Sequence, residues 1–357
     1  MNIEIRPEWL LKKPDGSSIA LPLLLLLLTD IRDHGSISSA ARSAGLSYRH
    51  AWGMLREFES QFGAPLVVKV RGQGTVLSPL AEKLIWADKR IAARLSPFLE
   101  SLASELEREL AALLSQNRAA LRITASHGFA VDALVHQLAE TDIAVDLKYR
   151  GSTEAVAALS RGECDLAGFH LPLGEFHDIA AAEYLRWLNP KRHVLIHLAY
   201  RMQGLFVARG NPKNIRSLAD LTRKDVRFVN RQNGSGTRVL LELFLARNNI
   251  RTSSIAGYES AEFTHAAVAA YVASGMADVS FGVETAARRF DLDFIPVVRE
   301  QYFFACDNEA LEQGVLDAGL RIMRSEQFRA TVNGLAGYDG ATAGTVLTLR
   351  EAALQAA

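Results

Sequence analysis

The stretch from Gly35 to Phe58, GSISSAARSAGLSYRHAWGMLREF, constrains this chain more tightly than any other segment. Ala40, Ala41 and Ala44 are small residues at helical spacing that let one short helix lie close on the next, and Gly45 falls where a tight inter-helix turn needs positive φ. Leu46 is expected to be the buried residue of that turn. Ser47 can cap a second helix, in which Ala51, Met54, Leu55 and Phe58 recur at three- and four-residue steps to make an inner face. The outer face is left to Tyr48, Arg49, His50, Gly53 and Arg56. Together with the Ser47 hydroxyl, these groups suit phosphates and base edges when such a helix enters a major groove. The pattern predicts a helix-turn-helix. A helical hairpin packed into some other fold is the plainer alternative, and the next segment argues against it. Pro65 to Ser78 reads as two short strands around Arg71-Gly72-Gln73-Gly74, so a hairpin follows the second helix directly and makes a winged helix. Its glycine-rich tip carries Lys69 and Arg71, which suit backbone contacts beside a minor groove.

At 357 residues the chain is long for one domain and comfortable for two or three. Its net charge is zero, so no global basicity advertises nucleic acid. From Arg42 to Arg94, however, nine Lys or Arg face four Asp or Glu, and that excess falls on the segment expected to meet phosphate. Cys164 and Cys306 are far apart and form neither a metal-ligand spacing nor a disulfide framework, which fits a reducing cytosol. The run Leu21 to Leu28 is interrupted by Pro22 and falls well short of the roughly 20 residues that span a bilayer. It is read as the first helix of the winged domain, apolar all round because it is buried against both its own core and a second subunit.

From Leu80 to about Leu114 a helix is expected. Leu95, Leu99, Leu102, Leu106, Leu110 and Leu113 form a stripe that suits a helix seam between two subunits, packing on its own domain being the alternative. The polar Ser115-Gln-Asn-Arg118 breaks the stripe and is taken as a boundary. The domains are therefore expected at 1–79 (winged helix-turn-helix), 80–118 (linker and dimerisation helix) and 119–357.

The last of these reads as repeated βα units. Strands are expected at Leu121–Ser126, Ile143–Tyr149, Cys164–Leu171, Val226–Asn230, Ile255–Glu259 and Ala277–Val283. Helices are expected at Phe129–Glu140, Glu154–Arg161, from Ser235, at Thr264–Ser274 and at Glu284–Phe290. Two long segments, Val194–Arg209 and Phe294–Cys306, are placed to cross between a lobe of 119–200 with 303–357 and a lobe of 201–302. A ligand would then sit in the cleft at the carboxyl ends of the strands.

Two resemblances follow from these residues. GSISSAARSAGLSYRHAW with the GQGTVLSPLAEKLI wing and helix resembles the N-terminal domain of molybdate-responsive regulators of the ModE type and, more distantly, LysR-type regulators. It implies a dimer on a two-fold DNA operator. The small paired oxyanion-binding modules of the ModE type are absent after that point. Residues 119–357 instead resemble the type 2 periplasmic-binding-protein fold in the branch fused to helix-turn-helix domains. Phe228-Val-Asn-Arg-Gln-Asn-Gly-Ser-Gly-Thr-Arg238 is similar to the strand-turn-helix of tungstate-binding proteins, and the resemblance implies oxyanion contacts from Arg231, Ser235, Gly236 and Thr237.

Chemistry supports an oxyanion independently of family. Gly234-Ser-Gly-Thr237 opens a helix, so unpaired N–H groups and the positive end of the helix dipole face one point. Ser235 and Thr237 add hydroxyls, and Arg231 or Arg238 adds charge-assisted bonds. Ser126 and the pair Ser152-Thr153 stand before two further helices, though each serine is also an ordinary N-cap. His127 reads as either a ligand contact or a neutral capping residue. His193 and His197 look like a metal pair, but an intervening strand would hold their imidazoles roughly 13 Å apart, which points to a structural role. No set of acid, base and nucleophile emerges, and neither an enzyme nor a catalytic cofactor is predicted.

The chain is thus expected to be a cytoplasmic homodimeric transcription factor with double-stranded DNA as one partner and molybdate or tungstate as effector. Glu259 and Glu284 at expected strand ends, with Phe169, Tyr258, Phe263 and Tyr302 as possible cleft aromatics, leave open an organic effector such as a pterin-type cofactor or a small carboxylate. A ligand carrier that does not bind DNA is the other alternative.

Overall fold

The structure is a computed structural model that describes residues 3–13, 15–72, 74–113, 120–141 and 143–354. It separates into two compact units, Arg6–Leu95 and Ser96–Ala357, the latter taking in Met1–Ile5 as well.

The smaller unit opens with a hairpin of β1 (Leu10–Lys12) and β2 (Ser18–Ala20), paired antiparallel with Leu10 opposite Ala20. Three helices follow: α1 (Pro22–His34), α2 (Ile37–Ser43) and α3 (Tyr48–Phe62). The wing is β3 (Val67–Val70) against β4 (Gly74–Leu77). In α1, Leu24, Leu25, Leu27, Leu28 and Ile31 are buried, and they pack with Ile37, Ala40, Ala41, Ala51, Leu55 and Phe58. Leu23 and Leu26 stand on its outer side, 37% and 49% exposed. Gly45 has φ +68° between α2 and α3, a conformation that costs an L-residue about 1–2 kcal/mol. Leu46 is half-buried against this core.

Helix α4 (Pro79–Leu113) contains Pro97, whose missing N–H removes one helical hydrogen bond two residues beyond the division between units. Within the larger unit its residues lie along β6 (Ala144–Tyr149), the last strand of the main sheet. The Ser104 hydroxyl donates to the Val145 carbonyl at 3.2 Å and accepts from the Leu147 N–H at 2.9 Å, and Arg108 pairs with Asp146 at 2.7 Å. An edge strand's spare backbone groups are met by side chains of a helix instead of a further strand. The leucine stripe is not what packs there: Leu102 and Leu106 are 38% and 39% exposed, Leu113 is 80% exposed, and Phe98 beside them is 63% exposed. The boundary expected at 115–118 lies outside the described residues.

The larger unit continues with β5 (Ala120–Ala125), α5 (Phe129–Ala139), β6, α6 (Ser152–Ser160), β7 (Leu166–Pro172), α7 (His177–Leu185) and the 15-residue β8 (His193–Val207). Then come β9 (Phe228–Arg231), α8 (Gly236–Arg247), β10 (Ala261–Glu262), α9 (His265–Ala273), β11 (Val279–Val283), α10 (Glu284–Arg289) and a second 15-residue strand, β12 (Asp293–Asp307). The chain closes with α11 (Gly314–Arg324), α12 (Glu326–Asn333), β13 (Tyr338–Asp339), β14 (Val346–Thr348) and α13 (Leu349–Leu354).

The sheet order is β10-β9-β11-β8-β12-β7-β5-β6, with β13 and β14 also pairing β8. The pairs β5/β6, β5/β7, β9/β10 and β9/β11 are parallel, as βα units require, whereas β8 and β12 run antiparallel along their whole length. These two long strands pass from one parallel lobe to the other, at the positions expected of the crossing segments. One expectation fails: Ile255–Glu259 is not a strand. Gly257, with φ +84°, turns the chain there, and only Ala261–Glu262 joins β9 in regular pairing. The segment still lies beside β9, since Phe228 N–H donates to the Ala256 carbonyl at 2.8 Å.

Candidate functional site

Each unit carries one candidate surface. In the smaller unit, Ser47 caps α3 by accepting the His50 N–H at 3.1 Å, and Ala51, Leu55 and Phe58 point inward. Tyr48, Arg49, His50, Gly53 and Arg56 are all exposed, and the Arg56 guanidinium rests on the Trp52 ring at 5.1 Å. Lys69 and Arg71 are exposed on the wing, while Gln73 at its tip lies outside the described residues.

In the larger unit a cleft of about 380 Å³, partly open to solvent, is lined by residues of both lobes. Ser126, His127, Ser152, Arg231, Ser235, Gly236 and Thr237 all line it, joined by Arg150, His170, Arg201, Gln232, Phe263 and His265. It collects the starts of α5, α6, α8 and α9, whose first-turn N–H groups have no carbonyl four residues earlier. Ser235 caps α8 through the Arg238 N–H at 3.3 Å. Ser126 and Ser152, expected as possible caps, do not cap: the capping positions of α5 and α6 are Gly128 and Gly151. Their hydroxyls are directed elsewhere, Ser126 to the Tyr302 hydroxyl at 3.3 Å and Ser152 to His170 Nδ1 at 3.4 Å. Gly236 permits the lobes to close: a Cβ there would meet His170 Nε2 at 2.1 Å.

Two expected residues fall outside the lining. Arg238 is buried but turned away, bonding Glu242 at 3.1 Å and facing Glu259 at 3.5 Å with its guanidinium over Tyr258. Its position, two residues and so about 200° beyond Gly236 on α8, sends a long side chain to the opposite face. Thr153 follows Ser152 by one residue and so lies about 100° around α6. Neither acidic residue that argued for an organic ligand reaches the cleft: Glu259 is on the surface, and Glu284 is paired with Arg288 at 3.0 Å. Of the four candidate aromatics only Phe263 is in the lining, while Tyr302 supports Ser126 from behind. His193 and His197 serve structural contacts, the first accepting the Asn189 N–H at 3.0 Å and the second meeting the Thr342 hydroxyl at 3.0 Å.

The electrostatics rest on three buried charges. Arg201 and Glu300, adjacent on β8 and β12, form a fully buried ion pair. Burial opposes both charges and is outweighed in each by the other: Glu300 holds the Arg201 guanidinium pKa above its ordinary value, and Arg201 with the Gln203 amide holds the Glu300 carboxyl below its own. Gln203 Nε2 lies 2.6 Å from Glu300 and 3.2 Å from the Thr237 hydroxyl. Arg231, at the end of β9, lies opposite the buried Glu262 of β10 in register. Its Nη2 donates to the Phe263 carbonyl at 2.8 Å, but Nε and Nη1 are buried without a hydrogen-bond partner among the described residues. Burial and the neighbouring Arg201 pull its pKa down to about 9, so it stays protonated at neutral pH.

His170 is pulled down to about 4 and His265 well below its ordinary value, in both cases chiefly by burial. Both imidazoles are neutral at pH 7, with His170 Nε2 and His265 Nδ1 unpartnered among the described residues. These groups titrate lower folded than unfolded. Between about pH 6.5 and 4 the unfolded chain therefore binds more protons, and stability declines as pH falls through that window. The midpoint of thermal unfolding of the larger unit should fall from pH 7.5 to pH 5, and His170→Gln should reduce that fall; equal midpoints at the two pH values would contradict it.

Arg201, Glu300 and His170 were not singled out in the sequence. Their signal is faint: each is a polar residue on a largely apolar strand, such as HVLIHLAYRMQGLFV, where nothing local sets it apart from its polar neighbours.

Comparison with known proteins agrees with this architecture. A family model described as a PBP superfamily domain matches residues 135–324, and one described as a bacterial regulatory helix-turn-helix protein of the lysR family matches residues 24–82. The chain belongs to the PBP superfamily, with a lysR-family helix-turn-helix on its N-terminal side. Of the two resemblances borne by the winged helix, the LysR type is the one matched. The chain is 36% identical over 202 residues to the uncharacterized protein YvgK of Bacillus subtilis, spanning 56% of this chain and 64% of that one. It is 34% identical over 150 residues to the molybdenum-pterin-binding protein MopB of Rhodobacter capsulatus, 40% of this chain and 54% of that one. Under two thirds of either relative is thus covered. Among solved structures, full-length HypT of Salmonella typhimurium, a hypochlorite-specific LysR-type regulator, aligns over 84% of this chain and 95% of its own at a TM-score of 0.44 and 15% identity. That likeness is too slight to carry a functional argument.

Proposed function

We propose that the chain is a cytoplasmic one-component transcriptional regulator: a homodimer whose winged helices bind a pseudo-palindromic operator and whose cleft senses a small oxyanion, with molybdate or tungstate as the best candidates. The observation that carries the ligand reading is Arg231, a buried cation that lines a cleft of hydroxyls and helix N-termini and has two guanidinium nitrogens unpartnered among the described residues. A buried charge without a partner is costly, and a dianion in the cleft would supply one. The relative named for molybdenum-pterin binding supports a molybdenum-containing effector. The half-exposed leucines of α4 and the outer leucines of α1 are apolar surfaces suited to a second copy of the chain.

Thermal unfolding with molybdate, tungstate, sulfate, phosphate and formate in parallel tests the ligand. A hundredfold excess over Kd stabilises the ligand-binding unit by about 2.7 kcal/mol. A rise with molybdate or tungstate is expected, and no rise with any of the five would overturn the oxyanion reading in favour of an organic effector. For the DNA surface, Arg49→Ala should remove specific binding to DNA selected from a random pool while leaving the melting temperature within about 4 °C, because exposed substitutions of this kind change stability by about 0.5 kcal/mol or less. Binding by the unaltered chain should also weaken steeply with salt. Salt-insensitive binding, or undiminished binding by the variant, would favour the carrier reading.

A further inference from the structure

We propose that Glu100, His127 and Asp132 bind a divalent first-row transition-metal ion such as Zn²⁺ or Mn²⁺, joining helix α4 to the rim of the cleft. The three residues come from separate elements: the middle of α4, the loop after β5, and the first turn of α5. One potential ligand atom from each lies within 4.8 Å of the others. His127 Nε2 is 3.7 Å from Asp132 Oδ2, too far for a hydrogen bond. Two ligand atoms each about 2.1 Å from a tetrahedral Zn²⁺ sit about 3.4 Å apart, so a small inward adjustment suffices.

Two further observations separate this cluster from an ordinary group of surface acids. The His127 side chain is only 9% exposed and makes no hydrogen bond among the described residues, its ring lying 5.0 Å from that of Tyr149. Its Nε2 faces the Asp132 carboxylate at 3.7 Å, and the Glu100 carboxylate has an oxygen within 4.8 Å of both ligand atoms. The second is a support behind the ligand: the Tyr149 hydroxyl donates to Asp132 Oδ1 at 2.8 Å, which orients that carboxylate and leaves Oδ2 toward His127. One imidazole nitrogen with two carboxylate oxygens, and room for water or a further ligand, suits Zn²⁺, Mn²⁺ or Fe²⁺ better than Ca²⁺, which takes six or more oxygens. Of the three, His127 also lines the cleft, whereas Glu100 and Asp132 lie outside the lining, so the ion can be tested in the absence of any oxyanion.

The test uses the full-length chain, stripped with chelator and dialysed against ZnCl₂ or MnCl₂ without oxyanion. One saturable ion per chain is expected, with affinity at least about tenfold weaker in both Glu100→Gln and Asp132→Asn. Glu100→Gln alters an exposed side chain, so it decides the matter if Asp132→Asn does not fold, and its melting in chelator verifies that it is intact. Absence of saturable binding, or the same affinity and stoichiometry in the folded variants, would overturn the proposal and assign any bound ion to other histidines.

Discussion

Arg231→Gln is expected to abolish stabilisation by tungstate and molybdate while leaving the ligand-free protein no less stable. Arg231 lines the cleft, has two guanidinium nitrogens unpartnered among the described residues and makes one bond to the Phe263 carbonyl. Hydrogen bonds to a charged partner contribute about 1.5–3 kcal/mol each. Losing two weakens binding by about 3–6 kcal/mol, which exceeds a hundredfold in Kd because each 1.4 kcal/mol is tenfold. In the ligand-free chain the same guanidinium is a buried charge beside a second cation, Arg201, so its removal relieves an unfavourable arrangement. Calorimetric titration and thermal unfolding of the variant read the two effects separately. A variant that binds tungstate as the parent does would exclude Arg231 from the site, and one that fails to fold would mean its role is structural.

The second large effect is on stability. Glu300→Gln should destabilise the larger unit by about 3–5 kcal/mol, because it leaves Arg201, 1% exposed, without its counter-charge. Gln keeps the size and an acceptor for Gln203 but not the charge. The double variant Arg201→Met/Glu300→Leu should recover much of the loss, since a buried ion pair replaced by apolar residues of similar volume is often neutral or better. The recovered protein should still lack part of its ligand response, because Arg201 lines the cleft. Scanning calorimetry, which resolves the transitions of separate units, provides the measurement. Equal stability of parent and Glu300→Gln would show that Arg201 finds another partner or solvent.

The long elements were legible because their signals were redundant. The winged helix combined small-residue spacing, a glycine turn, a capping serine and a hairpin, and all four act on the same backbone. The crossing strands β8 and β12 were visible as apolar runs too long for one lobe. Ile255–Glu259 looked extended by composition, but Gly257 adopts positive φ and turns the chain. The β1–β2 hairpin went unremarked although Pro14-Asp15-Gly16 is a turn signal.

For the cleft, residues at helix starts could be located because anion binding there follows from local backbone geometry. Ser126, Ser152 and Ser235 were found this way, whereas Arg201, His170 and His265 enter from strands or from a fourth helix, and only the tertiary arrangement brings them in. Arg238 illustrates the limit of local reasoning: its number placed it beside Thr237, and the helical twist carried its side chain to Glu242.

Coupling between the two surfaces is the centre of this account, and it is tested by measuring affinity for a selected operator with and without saturating molybdate or tungstate. A change of roughly 5- to 150-fold is expected, the usual range for linked sites. Equal affinity in both conditions, with ligand binding verified in the same sample, would contradict it.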